Sequence, residues 1–382
     1  MISSNCVEKA GSPEWSSSTS DAETGATVNK RETLMTSLPN ASQPLSSQSG
    51  SGVLKGTSFF PALVLLACAG QVFPPPALTG IAEIEAGWHH TCAVTTAGDA
   101  KCWGNNHDGQ LGDGTEADRL TPVDVVGLLS KARAISAGER HTCALTRDGG
   151  AKCWGNNHDN QLGDGTGNDR VTPVYVVGLT SGIMAIVAGE RHTCALTRDG
   201  GAKCWGNNHD SQLGDGTDVD KKTPVDVVGV TSGVQAIVAG WRHTCALTTL
   251  GGVKCWGNNH DGQLGDGTKV DKNIPVDVMG LAGGVKAIAA GWRHTCALTT
   301  AGSVKCWGKN HDGQLGDGTA INRSSPVDVV GLPSGVHAIA AGGQHTCGLN
   351  PQFVSCWGDN EDGQLGDGTT ADTLAAREEV GL

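Results

Sequence analysis

The chain has 382 residues, including 57 glycines, 14 cysteines and ten tryptophans, and carries a formal net charge of −12. The glycine content, the low fraction of charged residues and the near absence of Phe and Tyr do not suggest a helical bundle. The negative charge disfavours a nucleic-acid partner, because binding a polyanion depends on a basic patch and the sequence shows none.

The N-terminal segment, residues 1–54, is rich in Ser, Thr, Gly and Asn and has no apolar periodicity. Such a composition cannot bury enough surface to offset the entropy of ordering the chain. We therefore predict that residues 1–54 are disordered. A mis-assigned start codon is an alternative, because a start at Met35 gives the following segment a more ordinary signal length.

Residues 55–68 resemble an export signal. Lys55 precedes an apolar run from Phe59 to Cys68, which is too short to span a bilayer but has the length of a signal-peptide core. The run ends in Leu-Leu-Ala-Cys, which resembles the lipobox of bacterial lipoproteins, although Leu66 is bulky for its position. We predict export, with Cys68 as the lipidation site and the lipid as the only membrane anchor. Simple secretion and a buried apolar segment stay open.

The stretch 69–80 is rich in proline and predicts a stiff linker. From residue 81 to residue 382 one motif recurs, with a Trp-Gly pair every 51 residues and a last step of 50. A period of this size is typical of a solenoid or a propeller. Each repeat contains four short strand-like segments separated by turn residues, which make one propeller blade. We predict an all-β fold, a β-propeller of six four-stranded blades, with seven blades as the alternative.

Twelve cysteines form one pair per repeat. Their density indicates an oxidising compartment, and their spacing is not that of zinc knuckles. Strand alternation places both cysteines of a pair on one face, towards a neighbouring blade, and a short turn brings them opposite each other. We predict six cross-strand disulfides, each adding about 2–3 kcal/mol; buried thiols are the alternative if the protein is not exported. The predicted pairs are Cys92 with Cys102, Cys143 with Cys153, Cys194 with Cys204, Cys245 with Cys255, Cys296 with Cys306, and Cys347 with Cys356.

The motifs Gly-x-x-His-Thr-x-Ala-Leu, Gly-x-Val-x-x-Trp-Gly and Gly-Gln-Leu-Gly-x-Gly-Thr resemble the regulator of chromosome condensation type repeat, over the whole of 81–382. The resemblance implies a β-propeller, usually of seven blades. In character the chain is similar to exported bacterial members. Members of this family act in nucleotide exchange on a small GTPase, in UV-B sensing and in β-lactamase inhibition, so the fold alone licenses no function.

The repeated histidines and the Asn/Asp/Gly loops could suggest metal sites, but a structural role explains both better. One histidine per repeat is too dispersed to share an ion, and a hydrogen bond to the adjoining turn is the expected role. The Asn/Asp/Gly loops lack the ligand ladder of a calcium loop and are typical of tight turns. We therefore predict no metal, no cofactor and no catalytic set, so the protein is not an enzyme. The histidines are His90, His141, His192, His243, His294 and His345.

The pair of residues before each of these histidines varies between repeats. Positions that vary between repeats are not required for the fold of a blade, so they are free to contact a partner. Trp and Arg are enriched at binding hot spots. We predict that these pairs form a partner-binding face beside the Asn/Asp loops; cation–π packing between blades without a partner is the alternative. The predicted residues are Trp88, His89, Glu139, Arg140, Glu190, Arg191, Trp241, Arg242, Trp292 and Arg293, and the sixth pair is Gly343-Gln344.

Three functions follow from this reading. The first is a non-enzymatic exported propeller, on the cell surface or secreted, that binds a protein or a surface ligand through one face. The alternative is a cytoplasmic nucleotide-exchange or regulatory protein with a small GTPase as partner. The third is a UV-B sensing dimer, because two Gly-Trp-Arg-His-Thr pentapeptides resemble those of the plant receptor; the resemblance implies Trp241 and Trp292 as chromophores, with Arg242 and Arg293 holding the dimer.

Overall fold

The computed structural model describes residues 78–377. The predicted disordered segment, the export segment with Cys68, most of the linker 69–80 and the last five residues of the chain lie outside the described residues. Within 78–377, 23 strands form six antiparallel sheets, one per repeat. This confirms the all-β fold and the six blades. The described residues contain no helix that is long and apolar enough to cross a membrane.

Blades 1 to 5 each contain four strands in chain order, because every repeat supplies four short β-prone segments joined by two tight turns and one longer Asn/Asp/Gly loop. Blade 1 contains β1 (Ile81–Ala86), β2 (His90–Thr95), β3 (Ala100–Gly104) and β4 (Arg119–Asp124). Blade 2 contains β5 (Ala132–Ala137), β6 (His141–Thr146), β7 (Ala151–Gly155) and β8 (Arg170–Tyr175). Blade 3 contains β9 (Ile183–Ala188), β10 (His192–Thr197), β11 (Ala202–Gly206) and β12 (Lys221–Asp226). Blade 4 contains β13 (Val234–Ala239), β14 (His243–Thr248), β15 (Val253–Gly257) and β16 (Lys272–Asp277). Blade 5 contains β17 (Val285–Ala290), β18 (His294–Thr299), β19 (Val304–Gly308) and β20 (Arg323–Asp328).

Blade 6 departs from the expected complete repeat. Up to residue 377, where the described part of the chain ends, it contains three strands, β21 (Ala338–Ala341), β22 (His345–Asn350) and β23 (Phe353–Gly358). In place of a fourth strand, Gly358 forms an isolated bridge with Thr373, at the position where Gly308 pairs with Arg323 in blade 5. The sequence after Thr373 reads Leu-Ala-Ala-Arg, which lacks the β-branched residues that favour a strand at this position in the other repeats.

The cysteine pairs are joined within each blade, as predicted. In blade 3, Cys194 lies directly opposite Cys204 in the register of β10 and β11, and their Cα atoms are 4.1 Å apart. This short separation is typical of a non-hydrogen-bonded pair in an antiparallel sheet. The same Cα separation of 4.1 Å recurs in the other five predicted disulfides, all of which are present. These five join Cys92 to Cys102, Cys143 to Cys153, Cys245 to Cys255, Cys296 to Cys306, and Cys347 to Cys356.

Each disulfide of blades 1 to 5 faces the next blade, which confirms the prediction from strand alternation. The bridge Cys143–Cys153 of blade 2 packs in one apolar cluster with Ala195 and Trp205 of blade 3. The hydrophobic core of the described residues therefore consists of layers between neighbouring blades. In each layer one blade supplies the disulfide and the next blade supplies a Trp that packs against it.

The disulfide of blade 6 differs from the others in two respects. It joins Cys347 to Cys356 across a sequence separation of nine residues, whereas the other five bridges span ten. In addition, Cys356 retains 6% of its surface exposed, whereas Cys102, Cys255 and Cys306 at the same position are completely buried. The bridge of blade 6 therefore lacks the complete cover that a following blade provides elsewhere.

Two side-chain hydrogen bonds mark the junction between consecutive blades. At the junction of blades 2 and 3, His141 Nε2 and Thr193 Oγ1 are 2.9 Å apart, and Trp205 Nε1 donates to the Gln161 carbonyl at 2.9 Å. Both bonds recur at the five junctions from blade 1 to blade 6. Each blade is thus fastened to its neighbour by the same pair of contacts.

Candidate partner-binding face

The variable residue pairs lie in the turns that precede the second strand of each blade. Residues of these turns surround a central channel of about 670 Å³, which is lined by residues from all six blades. Trp88, Trp241 and Trp292 belong to this lining. The variable positions therefore converge around the axis of the propeller.

The three tryptophans contact one another although they come from blades 1, 4 and 5. The ring centroids of Trp88 and Trp292 are 4.5 Å apart, and those of Trp88 and Trp241 are 5.9 Å apart. Trp241 and Trp292 are separated by 6.2 Å, with tilted rings in all three pairs. These separations are within the range of favourable aromatic pairs. The sequence connected Trp241 and Trp292 only through the resemblance to UV-B sensing members of the family, and it did not predict that Trp88 contacts both of them.

Two arginines lie over the ring of Trp241. The guanidinium carbon of Arg242 is 4.7 Å from the ring centroid, and that of Arg293, from the next blade, is 4.5 Å from it. A guanidinium at this distance is attracted by the negative face of the indole. The cation–π packing that the sequence offered as an alternative is therefore present, and it joins blade 4 to blade 5.

Each arginine is also held by an aspartate from the Asn/Asp loop of the preceding blade. Arg242 Nη1 lies 3.2 Å from Asp210 Oδ2, and Arg293 Nη1 lies 3.4 Å from Asp261 Oδ2. The turns and the loops thus lie beside each other. The aspartates were not among the predicted residues, although each stands 32 positions before its arginine, a spacing that the repeats kept constant.

The arginines and the glutamates at the variable positions differ in exposure. The side chains of Arg191, Arg242 and Arg293 remain 39–47% exposed. The side chains of Glu139 and Glu190 are only 12% and 5% exposed. Glu190 accepts a hydrogen bond of 2.9 Å from Arg242 Nε, so this glutamate holds an arginine in place and has little surface to offer a partner. We call Trp88, Arg191, Trp241, Arg242, Trp292 and Arg293 the Trp–Arg face.

A small cavity of about 80 Å³ lies within the Trp–Arg face. Arg242, Arg293, Trp241 and Asp210 are among the residues that line it. The Nε1 atom of Trp241 is buried without a hydrogen-bond partner among the described residues. A cavity of this size has room for an ordered water or the head of one small side chain.

The repeated histidines have a structural role, but their partner differs from the one predicted. His192 is fully buried and bonds Thr244 of the next blade, 2.9 Å away, rather than the adjoining turn. Burial, together with the neighbouring His243, lowers the pKa of His192 from 6.5 to about 3, so the ring is neutral. Within residues 78–377 no group of three or more His, Cys, Asp or Glu side chains is placed to hold a metal ion.

Two carboxylates from blade 1 line the central channel. Burial, reinforced by the nearby Glu83, raises the pKa of Glu85 from 4.5 to about 7. The pKa of Glu83 is also raised by burial, although a backbone hydrogen bond from Ile135 opposes this effect. The channel therefore carries less negative charge near neutral pH than its two glutamates suggest.

These features define a disulfide-bonded β-propeller built from one repeat, with an aromatic and charged face around its axis. A model of the RCC1-like domain matches residues 66–380, and the chain belongs to that family. The match extends through all six blades and begins ahead of β1.

Among curated proteins, the Arabidopsis thaliana ultraviolet-B receptor UVR8 is 36% identical over 278 residues, which are 71% of this chain and 62% of the receptor. The Homo sapiens E3 ubiquitin-protein ligase HERC2 is 34% identical over 274 residues, which are 69% of this chain and 6% of the ligase. The chain thus spans less than two thirds of the length of these relatives.

Solved structures show the same fold. Human WBSCR16 aligns with a TM-score of 0.72 at 24% identity, covering 80% of this chain and 83% of that one. Prp20p from Saccharomyces cerevisiae, described with its binding to Gsp1p and histones, aligns with a TM-score of 0.69 at 24% identity, covering 78% and 77%. Likeness at this identity shows the fold and not a shared partner.

Proposed function

We propose that the protein is a non-enzymatic, exported β-propeller that binds a protein, or a ligand on a cell surface, through the Trp–Arg face. The observation that supports this proposal most directly is the row of half-exposed arginines, Arg191, Arg242 and Arg293, each held by an aspartate of the preceding blade. A guanidinium fixed in this way loses little entropy when it binds, and its remaining N–H groups suit carboxylates.

The chemistry of the face defines the partner. Trp241 and Trp292 provide flat apolar area, and the cavity between Arg242 and Arg293 is large enough for one carboxylate head. We infer a partner that presents an acidic side chain next to an apolar one. Both features are those of hot spots, where removal of one side chain costs about 2 kcal/mol or more.

Binding can be tested with labelled protein on intact cells of the producing organism. Saturable binding by the wild type is expected, together with a loss of at least about tenfold for the double variant Arg242→Ala/Arg293→Ala. Lys254→Ala is the matched control, because Lys254 is a half-buried cation on β15 that pairs with Asp277 outside the Trp–Arg face. Equal binding by the double variant and the control would contradict the proposal.

Export is supported by the six disulfides, which persist in oxidising compartments. Mass spectrometry of the protein purified without reductant is expected to show the twelve repeat cysteines paired. Twelve free thiols would contradict export. N-terminal sequencing adds an independent measurement, because a mature chain that begins at Cys68 supports lipidation and an intact N-terminus argues against it.

The contacts of Trp88, Trp241 and Trp292 favour a second candidate function, UV-B sensing by a dimer of this chain. The neighbouring indole rings absorb UV-B light. Two guanidinium groups that could make ion pairs across a dimer interface lie directly over one of these rings. The 36% identity with a protein named ultraviolet-B receptor adds support. Light scattering before and after UV-B exposure separates the candidates: loss of a dimer supports sensing, whereas an unchanged mass leaves the face to another partner.

A further inference from the structure

The first strand of blade 1 differs from those of the other blades at two positions that line the central channel. Glu83 and Glu85 stand on β1, and both belong to the lining. The position of Glu83 holds Ala in each of the other repeats, and the position of Glu85 holds Ser136 in blade 2 and Val or Ala in the rest. The fold of a blade therefore does not require a carboxylate at either position.

The two carboxylates differ in their partners. Glu83 Oε2 accepts a hydrogen bond of 3.2 Å from the Ile135 N–H of blade 2, much as Ser136 Oγ accepts one of 3.0 Å from the Ala188 N–H of blade 3. Within 78–377, Glu85 has no hydrogen bond and no cationic partner, and burial, reinforced by Glu83, raises its pKa from 4.5 to about 7. A buried carboxylate without a partner costs stability, and such groups cluster at functional sites. The structural role of Glu83 thus does not extend to Glu85.

The channel around these carboxylates has the size and the lining of a small-molecule site. Its volume of about 670 Å³ is in the range of ligand pockets, which are mostly apolar with a few polar groups. Most of its wall consists of Ala, Val, Ile and Gly, and the described residues that line it include no Lys, Arg or Asp. A third carboxylate of the lining, Glu190, is already paired with Arg242 at 2.9 Å. The negative charge of Glu83 and Glu85 is therefore not compensated by the wall of the channel.

Indole rings narrow one end of the same channel. Trp88 belongs to the blade that carries the two glutamates, and its ring centroid is 5.9 Å from that of Trp241 and 4.5 Å from that of Trp292. Because blades 4 and 5 do not follow or precede blade 1 in the chain, these contacts span the width of the channel. A ligand in the channel would therefore meet carboxylates on one wall and aromatic surface at the end.

We propose that the central channel binds a small organic ammonium ion, with Glu85 and Glu83 accepting hydrogen bonds from its charged head. An ammonium group supplies both the N–H donors and the positive charge that the lining lacks. The body of the ligand is apolar, because the rest of the wall presents aliphatic and indole surface. This combination of one charged head and an apolar body distinguishes the ligand from a free metal ion.

The geometry argues against an inorganic cation at this place. Calcium takes six to eight oxygen ligands, and zinc takes four ligands. Two glutamates do not provide such a set, and within residues 78–377 no group of three or more His, Cys, Asp or Glu side chains is placed to hold a metal ion. The site is also separate from the partner contacts proposed above, because the arginines of the Trp–Arg face do not line the channel.

Isothermal titration calorimetry on the full chain tests this proposal with three ligands of similar shape. The measurements are made at about pH 8, above the pKa of Glu85, so that its carboxylate is ionised. Phenethylamine, which is protonated at this pH, is expected to bind at least about tenfold more tightly than phenethyl alcohol, and hydrocinnamate is expected not to bind. Equal affinity for the amine and the alcohol, or no binding of the amine, would overturn the proposal.

Two variants identify the glutamates as the ligands of the head. Glu85→Gln keeps the shape of the side chain and should weaken the binding of phenethylamine at least about tenfold. Glu116→Gln is the matched control, because it removes the same charge from an exposed loop of blade 1 and should preserve the affinity. An equal affinity of both variants for the amine would show that Glu85 does not hold it.

A second substitution keeps the test independent of folding. Glu83→Ala/Glu85→Ser gives blade 1 the residues that blade 2 carries at the same positions, so this variant should retain the fold and the Tm. Its affinity for phenethylamine is expected to fall to that for phenethyl alcohol. A variant that folds and still prefers the amine would mean that the charged head is held elsewhere.

Discussion

Arg293 lies over the indole ring of Trp241, with its guanidinium carbon 4.5 Å from the ring centroid, although the two residues belong to different blades. Arg242 lies over the same ring at 4.7 Å. The ring of Trp241 is thus shared by two cations, one from its own blade and one from the next, and this arrangement leads to a first prediction.

The substitution Arg293→Ala should uncover part of Trp241. We expect stronger quenching of tryptophan fluorescence by acrylamide and a loss of about 0.5–1 kcal/mol in the free energy of unfolding, as for an exposed cation–π contact. Arg140→Ala is the matched control, because Arg140 pairs with Glu139 and Asp108. The same quenching in both variants would argue against the stacked contact.

The buried histidines predict a loss of stability in mild acid. Burial, chiefly, lowers the pKa of His192 and His294 to about 3 and that of His243 to about 4, from an ordinary value of 6.5. The unfolded chain binds protons below pH 6.5 while the folded rings stay neutral. The free energy of unfolding is therefore not reduced by these histidines above pH 6.5. It falls as the pH drops from 6.5 towards 4, by up to about 1.4 kcal/mol per pH unit for each histidine.

Calorimetric Tm values between pH 7 and pH 4 measure this slope. His192→Gln should flatten it, because one titrating ring is removed. His209→Asn is the control, since the His209 side chain is 76% exposed and lies in a loop outside the blade junctions. A Tm that is constant between pH 6.5 and pH 4.5 would contradict the role of burial.

The two kinds of junction predict unequal effects for the same substitution. Trp307→Phe removes the donor to the Gln263 carbonyl and leaves space in a buried core layer, at an expected cost of about 2–4 kcal/mol in the free energy of unfolding. Trp103→Phe, at the junction of blades 6 and 1, should cost less than about half of that, because Trp103 is only half-buried and lacks this bond within the described residues. Urea denaturation of the two variants provides the comparison, and equal costs would mean that the junction of blades 6 and 1 is packed like the other junctions.

The glycine before each variable pair predicts a steric limit. A Cβ atom on Gly240 would lie 2.6 Å from the Gly291 carbonyl oxygen of the next blade and would also collide with the ring of His243. Gly240→Ala should therefore lower the Tm markedly. Gly283→Ala is the control, because its nearest heavy atom, the Leu250 carbonyl oxygen, is 3.4 Å away. A normal Tm for Gly240→Ala would show that the junction tolerates displacement.

The fold could be predicted from sequence because its causes are local and repeated. Strand alternation and a short turn were sufficient to pair Cys194 with Cys204, and the period was sufficient to count the blades. The cluster of Trp88, Trp241 and Trp292 could not be predicted, since it depends on how blades 1, 4 and 5 are placed around the axis. The different environment of Trp103 could not be predicted either, because Trp103 and Trp307 occupy the same motif and differ only in the blade that precedes each of them.

Five fastened junctions among six blades make the described propeller a linear array of nearest-neighbour couplings. The end units of such an array are each fastened to one neighbour by these bonds, so we expect opening to start at blades 1 and 6 and the interior blades to open last. Blade 1 has the contacts of Trp88 with Trp241 and Trp292 in addition. Trp241 and Arg242 lie in the interior, whereas Trp88 lies on an end unit. Fraying of blade 1 would therefore move Trp88 away from the other two indoles and leave the arginines in place. The distance between Trp88 and the other two indoles thus indicates whether the first blade is folded.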